Sequence, residues 1–158
     1  MDQHTPGDDL DPASAALAAL FDAHRSIADA LDSEIRAACG LSPAEVDVLD
    51  TLTRGPNGRQ RMVDIADHMC LSKSGVTQIV DRLEAAGMVA RESSPTDRRL
   101  VYAAITTAGH DVLDKATPVV TAIAREHIGS RLRDTELAKL TRVLRTIAAA
   151  NTPEIRQR

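Results

Sequence analysis

Aromatic side chains are almost missing from this chain of 158 residues: they make up 1% of it, as Phe21 and Tyr102, with no Trp. The core must therefore be Leu, Val, Ile, Met and Ala, which suits helices packed closely on helices. A hydrophobic fraction of 43% is ample for that, and the length points to one domain. Long apolar runs are missing too; none approaches the roughly 20 residues of a membrane span. The N-terminal stretch MDQHTPGDDLDP has neither the basic start nor the apolar segment of a secretion signal. A cytoplasmic protein with no membrane partner is expected.

Cysteine is scarce. Cys39 and Cys70 make neither a metal-ligand spacing nor a disulfide framework. The plain reading is two reduced thiols; a redox switch would need a thiol made acidic by nearby cations or a helix N-terminus. Catalytic constellations are absent as well: there is no phosphate-cradling Gly loop, no HExxH pair and no nucleophile elbow. The five His residues are scattered at 4, 24, 68, 110 and 127. Neither an enzyme nor a cofactor is expected.

The net charge of −4 looks wrong for a nucleic-acid binder until it is divided. Residues 54–99 carry eight Arg or Lys against six Asp or Glu, whereas the rest of the chain carries eleven against seventeen. Only three of the cations are Lys; sixteen are Arg, whose flat fork can grip phosphates or base edges in two places. Counterion release depends on local contacts, so overall acidity does not forbid DNA binding. It does argue against a sequence-blind DNA coater.

Inside that basic region lies IADHMCLSKSGVTQI, Ile65 to Ile79. It reads as a short helix, a tight turn and a second helix with a small, polar first turn. Ile65, Ala66 and Met69 fit the buried side of the first helix, and Leu71 fits the turn. Val76, Ile79, Val80 and Leu83 repeat at helical spacing on the second. Between them sit Ser72, Lys73, Ser74, Thr77 and Gln78, all hydrogen-bonding or cationic. A helix-turn-helix needs this division: an apolar back that locks the second helix, and an exposed N-terminal face for the DNA major groove. Ala66 falls where the two helices cross closely, so a small residue is required there.

Along the rest of the chain the pattern predicts six helices and one hairpin. Residues 1–11 read as a flexible arm. Asp11-Pro12 starts a helix that runs to about Ala38, with Leu17, Leu20, Ile27, Leu31 and Ile35 on one face and His24 in the same stripe. Gly40 ends it. Ser42-Pro43-Ala44-Glu45 is a capping box for a second helix with Val46, Leu49 and Leu52 inward. Gly55-Pro56-Asn57-Gly58 breaks the chain before the reading unit, which ends at Ala86-Gly87. Met88 to Glu92 and Leu100 to Ile105 form a hairpin around Ser93-Ser94-Pro95-Thr96-Asp97, a wing tipped with Arg98 and Arg99. Thr106 caps a long helix to about Ile128, striped with Leu113, Ala116, Val120, Ile123 and His127 and kinked at Pro118. Gly129 stops it. The last helix, Thr135 to Ala150, aligns Leu137, Leu140, Leu144 and Ile147. One small chain could hardly cover the outer stripes alone, so the first, fifth and sixth helices are expected to form a dimer interface. A two-fold pair would present two reading helices about one DNA turn apart to a pseudo-palindromic operator.

Three stretches carry a family resemblance: LSPAEVDVLDTL (41–52), IADHMCLSKSGVTQIVDRLEAAGMVAR (65–91) and SPTDRRLVYAAITTAG (94–109), the last with Asp-x-Arg at Asp97 and Arg99. They resemble the multiple-antibiotic-resistance regulator (MarR) family, over nearly everything after residue 12. The resemblance implies a mainly α fold: a winged helix-turn-helix over 41–107, flanked by dimerisation helices over 12–39 and 107–150, in a single domain spanning 12–158. It implies a homodimeric double-stranded-DNA-binding regulator, usually a repressor released by a small ligand or an oxidant. A protein-interaction module or antirepressor that reuses the winged helix without reading DNA is the alternative; it would favour apolar residues at 73, 74, 77 and 78.

Carried over, the fourth helix is Ser72 to Ala86. Ser72 is its N-cap, Lys73, Ser74 and Gly75 lie on its exposed first turn near phosphate, and Thr77 and Gln78 are the base-edge readers. Both of the last two could instead be an ordinary solvated helix face. Arg82 meets phosphate or pairs with a nearby carboxylate such as Asp81. Arg99 enters the minor groove, with Arg98 on the neighbouring backbone and Asp97 as wing support. This chain departs from the family at the turn, where Cys70 replaces the usual permissive residue; a positive φ there would carry slight strain. An effector cleft would be lined by Phe21, His24, Ile27 and residues of the second and fifth helices. The lack of Trp counts against the urate-type subgroup. A metal-sensing variant would use His24, His110 and His127, but local ligand spacing is absent and no metal is expected. Arg99→Ala is expected to weaken binding to every DNA sequence and to flatten its salt dependence; unchanged affinity at several salt concentrations would contradict this.

Overall fold

A computed structural model describes residues 11–93 and 100–151. The predicted arm, except Asp11, and the predicted wing-tip residues Asp97, Arg98 and Arg99 lie outside the described residues. The described chain is mainly helical: α1 (Pro12–Cys39), α2 (Pro43–Thr53), β1 (Arg59–Arg61), α3 (Met62–His68), α4 (Lys73–Ala85), β2 (Val89–Ser93), β3 (Val101–Ile105), α5 (Thr107–His127) and α6 (Asp134–Asn151). No helix among the described residues is long and apolar enough to cross a membrane.

Local chemistry sets the helix limits. The Asp11 carboxylate accepts the backbone N–H groups of Ala13 and Ser14 at 3.0 and 3.3 Å, two of the donors that α1 leaves unpaired at its start. Gly40 closes α1 at φ 76°, a left-handed conformation that glycine reaches without penalty, and its N–H donates to the Arg36 carbonyl. The capping box of α2 is fully formed: Ser42 N–H donates to Glu45 Oε2 at 2.8 Å, and Glu45 N–H returns to Ser42 Oγ at 3.4 Å. Thr106 Oγ1 accepts the Gly109 N–H at the head of α5. That helix continues through Pro118 and closes into a 3-10 turn, Gly129–Arg131, where a simple stop was expected.

The sheet differs from the predicted hairpin. β1 adds a third strand, in the order β1-β3-β2, all antiparallel, with Arg59 opposite Ala104 and Val89 opposite Ile105. Three polar residues, Arg-Gln-Arg, carry no hydrophobic alternation to read. What holds them is the edge of β3 together with Gln60, whose side-chain amide donates to the Thr51 carbonyl. The two wing strands each begin one residue later than expected.

α2 is the centre of the core. Val48, Leu49 and Leu52 are fully buried, surrounded by Ile35, Ile65, Val76, Val80, Leu83 and Ala103. Val48 and Thr51 were not among the three inward positions predicted. α2 is buried on a wider arc because α1, α3, α4, α5 and β3 all pack against it. Each buried aliphatic side chain contributes roughly 1.5–3 kcal/mol of transfer free energy, and the buried core is aliphatic as the composition requires. Ala66, 2% exposed, sits at the α3–α4 crossing. The N-terminal half of α1 and most of α6 lie outside this core, leaving Leu17, Leu20, Phe21, Leu140, Val143, Leu144 and Ile147 exposed.

α5 approaches the wing at Gly109, where a Cβ would fall 2.3 Å from the Met88 carbonyl oxygen and 2.7 Å from Ile105 Cγ1. The backbone of Met88 is fixed there, because its carbonyl also accepts the Thr106 N–H at 3.0 Å. Alanine would gain about 1 kcal/mol of helix propensity, but overpacking against fixed backbone costs about 1–3 kcal/mol. Gly109→Ala should therefore lower the unfolding midpoint, and an unchanged or raised midpoint in a thermal melt would refute that contact.

Candidate nucleic-acid interface

The turn that aims α4 is a chain of backbone bonds. Met69 N–H donates to the Ile65 carbonyl and Leu71 N–H to the Ala66 carbonyl, both at 3.0 Å. Between them Cys70 takes φ 52°, so of the two alternatives its position left open, a positive φ or a different turn, the structure has the first. Ser72 is the N-cap: its Oγ accepts the Gly75 N–H at 3.1 Å and lies 3.0 Å from Ser74 Oγ. A Cβ at Gly75 would stand 3.3 Å from that Oγ, so the small residue keeps the cap open.

α4 then divides as its sequence periodicity predicts. Val76, Ile79, Val80 and Leu83 are buried, while Lys73, Ser74, Thr77 and Gln78 are exposed. The Thr77 hydroxyl donates to the Lys73 carbonyl at 2.8 Å, which orients its methyl group and leaves its oxygen able only to accept. Gln78 keeps both an amide donor and an acceptor. The structure therefore gathers Ser72, Lys73, Ser74, Gly75, Thr77 and Gln78 on the first two turns of one helix.

Arg82 takes a protein partner that its sequence neighbourhood does not suggest. It does not pair with Asp81; its Nε donates across to Glu45 Oε1 on α2 at 2.7 Å. Asp81 is taken instead by Arg91 of β2, at 2.6 Å. Arg91 also engages the Glu84 carboxylate through its side chain and its backbone N–H, and reaches the Thr77 carbonyl at 3.4 Å. Sequence reasoning missed Glu45 and Arg91 as the groups that hold α4. Glu45 was legible as half of a capping box, but a contact 37 residues away leaves no local signal. Burial pushes the Glu45 carboxyl up. The Ser42 N–H and hydroxyl together with the Arg82 guanidinium outweigh it, holding the group below the usual glutamate range.

Both arginines of β1 are also held in ion pairs. The Arg59 guanidinium lies 5.2 Å from the centre of the Tyr102 ring and 3.0 Å from Glu92. Arg61 grips Asp64 with two bonds, at 2.7 and 2.6 Å.

A separate cleft of about 280 Å³ opens between α1, α2 and α5, lined by Leu31, Ile35, Val46, Asp47, Leu113 and Val120 among others. Phe21, His24 and Ile27 are not in it. They sit one to four turns nearer the start of α1, where that helix has passed beyond its own chain's core; Phe21 and His24 are exposed there. The polar groups of the cleft are acceptors. Asp47 and Asp50 are carboxylates, and Thr117 and Thr121 already donate to the Leu113 and Thr117 carbonyls. Among the described residues no three His, Cys, Asp or Glu side chains come together as a metal site, so His24, His110 and His127 do not converge. Cys39 is half-buried and Cys70 exposed, both as free thiols.

Comparison with known proteins places this geometry. The sequence profile of the MarR family matches residues 40–100. The chain is 35% identical over 128 residues to the HTH-type transcriptional regulator MhqR of Bacillus subtilis (strain 168), covering 81% of this chain and 86% of that one. It is 41% identical over 81 residues to YkoM of the same organism, an uncharacterized HTH-type transcriptional regulator; that stretch spans 51% of each chain, about half the relative's length. Among solved structures, a MarR family transcriptional regulator from Streptomyces coelicolor in complex with DNA superposes with a TM-score of 0.84 at 26% identity, covering 92% of this chain and 95% of that one.

The left-handed Cys70 gives a direct test of the turn. A side chain held there costs about 1–2 kcal/mol, against about 0.5–1 kcal/mol for the extra freedom of an unfolded glycine. Cys70→Gly should leave stability unchanged or raise it slightly in urea unfolding. Cys70→Val, β-branched and poorly suited to positive φ, should lower it by about 1–2 kcal/mol. A valine variant as stable as the parent would contradict the turn.

Proposed function

The chain belongs to the MarR family, and from that premise we propose that it is a transcription regulator that binds a specific double-stranded operator as a homodimer. In this reading it acts in the cytoplasm as a repressor released by a small ligand or an oxidant. The observation that carries the proposal is the division of α4: an apolar ridge locked into the core, and Lys73, Ser74, Thr77 and Gln78 exposed on the opposite face of its first two turns. In this proposal Gln78 pairs with adenine through two bonds, the Thr77 methyl touches a thymine methyl, and Lys73, Ser74 and the Gly75 backbone meet phosphate. Arg99 and Arg98 are proposed at the wing tip, in the minor groove and on the backbone beside it, with Asp97 as wing support. An interaction module without DNA contact is disfavoured by the same residues, since a protein-docking face would be apolar where these four are polar.

The dimer is supported by the apolar side chains that the fold leaves outside its own core: Leu17, Leu20 and Phe21 on α1, and Leu140, Val143, Leu144 and Ile147 on α6. A second copy would cover them and set two reading helices about one DNA turn apart. The effector is proposed to occupy the α1–α2–α5 cleft. Its walls are apolar and its polar groups accept hydrogen bonds, so it favours a ligand that brings donors, such as a phenol or an amine, over a carboxylate. Release then requires the ligand to prefer a half-site spacing that DNA does not accept.

Fluorescence anisotropy with the DNA upstream of its own coding region tests the reading. The full chain is expected to bind in a strongly salt-dependent manner. Gln78→Ala should reduce operator preference by about 1–3 kcal/mol while leaving non-specific binding intact. Equal affinity of both forms for operator and unrelated DNA would overturn the assignment.

A further inference from the structure

Arg82 sits one turn beyond Gln78, and the two share a column of the helix surface because residues four apart are neighbours there. An arginine in this place invites a phosphate contact, yet its Nε is committed to Glu45 at 2.7 Å. Glu45 is unusual in turn. It is a carboxylate only 8% exposed, and both its oxygens are used: Oε2 accepts the Ser42 N–H and hydroxyl, each at 2.8 Å, and Oε1 accepts Arg82. It stands on the first turn of α2, the helix at the centre of the core, which α1, α3, α4, α5 and β3 all contact. On the other flank of α4, Arg91 holds Asp81, Glu84 and the Thr77 carbonyl from β2. The reading helix is thus tied to the core at one side and to the wing at the other.

We propose that Glu45 is a positioning residue for operator recognition: by holding Arg82 it fixes the rotation of α4 about its axis, and Arg82 acts through Glu45 rather than through a phosphate. A helix rotation that leaves every phosphate contact possible still misaims Gln78, whose paired bonds to a base edge tolerate little displacement. Loss of the tie therefore removes specificity and leaves electrostatic attraction as it was. This inference rests on the DNA-reading proposal above.

Glutamine serves in a capping box as glutamate does, so Glu45→Gln keeps the α2 cap while removing the charge opposite Arg82. The experiment measures anisotropy of Glu45→Gln, Arg82→Gln and the double variant on operator and unrelated DNA over a range of salt, with thermal melts as the folding control. Each single variant should bind operator about fivefold more weakly, with unrelated-DNA affinity and salt slope as in the parent. The double variant should be no weaker than either single. If Arg82→Gln lowers the salt slope by about one and weakens both DNAs alike, Arg82 is a phosphate contact and the proposal is wrong. Undiminished operator affinity in Glu45→Gln overturns it too. Should Glu45→Gln fail to fold, the salt slope of Arg82→Gln decides alone. A parent chain that binds no DNA at all sinks the functional reading and this inference together, a result distinct from either of the others.

Discussion

Burial of the ridge Val76, Ile79, Val80 and Leu83 under α4 is the constraint from which the rest of the structure follows. A helix has one circumference. Once these four side chains are in the core, Lys73, Ser74, Thr77 and Gln78 are turned outward together. The ridge in turn needs α2 beneath it, and α2 needs α1, α5 and β3 around it. With no aromatic ring in that core, helices fit through small and branched side chains, which is why Ala66 at a crossing and Gly109 against the wing matter as much as the large residues do.

Electrostatics refines what packing begins. Most ion pairs here are exposed and local, such as Arg36–Asp32 and Arg133–Glu136, and exposed pairs contribute little to stability. Among the described residues a few join distant elements, Arg59–Glu92 across the sheet being one. Glu45–Arg82 links α2 to α4, and Arg91 links the wing to α4. Part of the arginine in the region from 54 to 99 therefore serves as planar clamps between elements, while the cation on the exposed first turn of α4 is a lysine, Lys73.

Much of this was legible in the chain because local chemistry wrote it. Asp11-Pro12, the Ser42–Glu45 box, Gly40 and the periodic ridge of α4 each act within a few residues, and each is found where the sequence places it. What could not be read depends on distant partners. β1 is a strand only because β3 offers it an edge. Val48 is buried because neighbours close on α2 from several sides. The partner of Arg82 lies on another helix. Phe21, His24 and Ile27 read as one stripe in the sequence, but the sequence does not tell where that helix leaves its own core, and the α1–α2–α5 cleft is lined further along α1.

The same departure of α1 and α6 from the core makes the proposed pair of subunits the larger scale of the argument. One reading helix contacts a few base pairs; two, held in fixed relation, contact a site long enough to be specific. A cutting probe reports both facts at once. With Cys39 and Cys70 first replaced, a Gln78→Cys variant carrying a tethered iron chelate and bound to operator DNA should cleave both strands in two clusters about 10 base pairs apart, centred on the major groove. No cleavage, or a single cluster without a mate one turn away, would contradict the account.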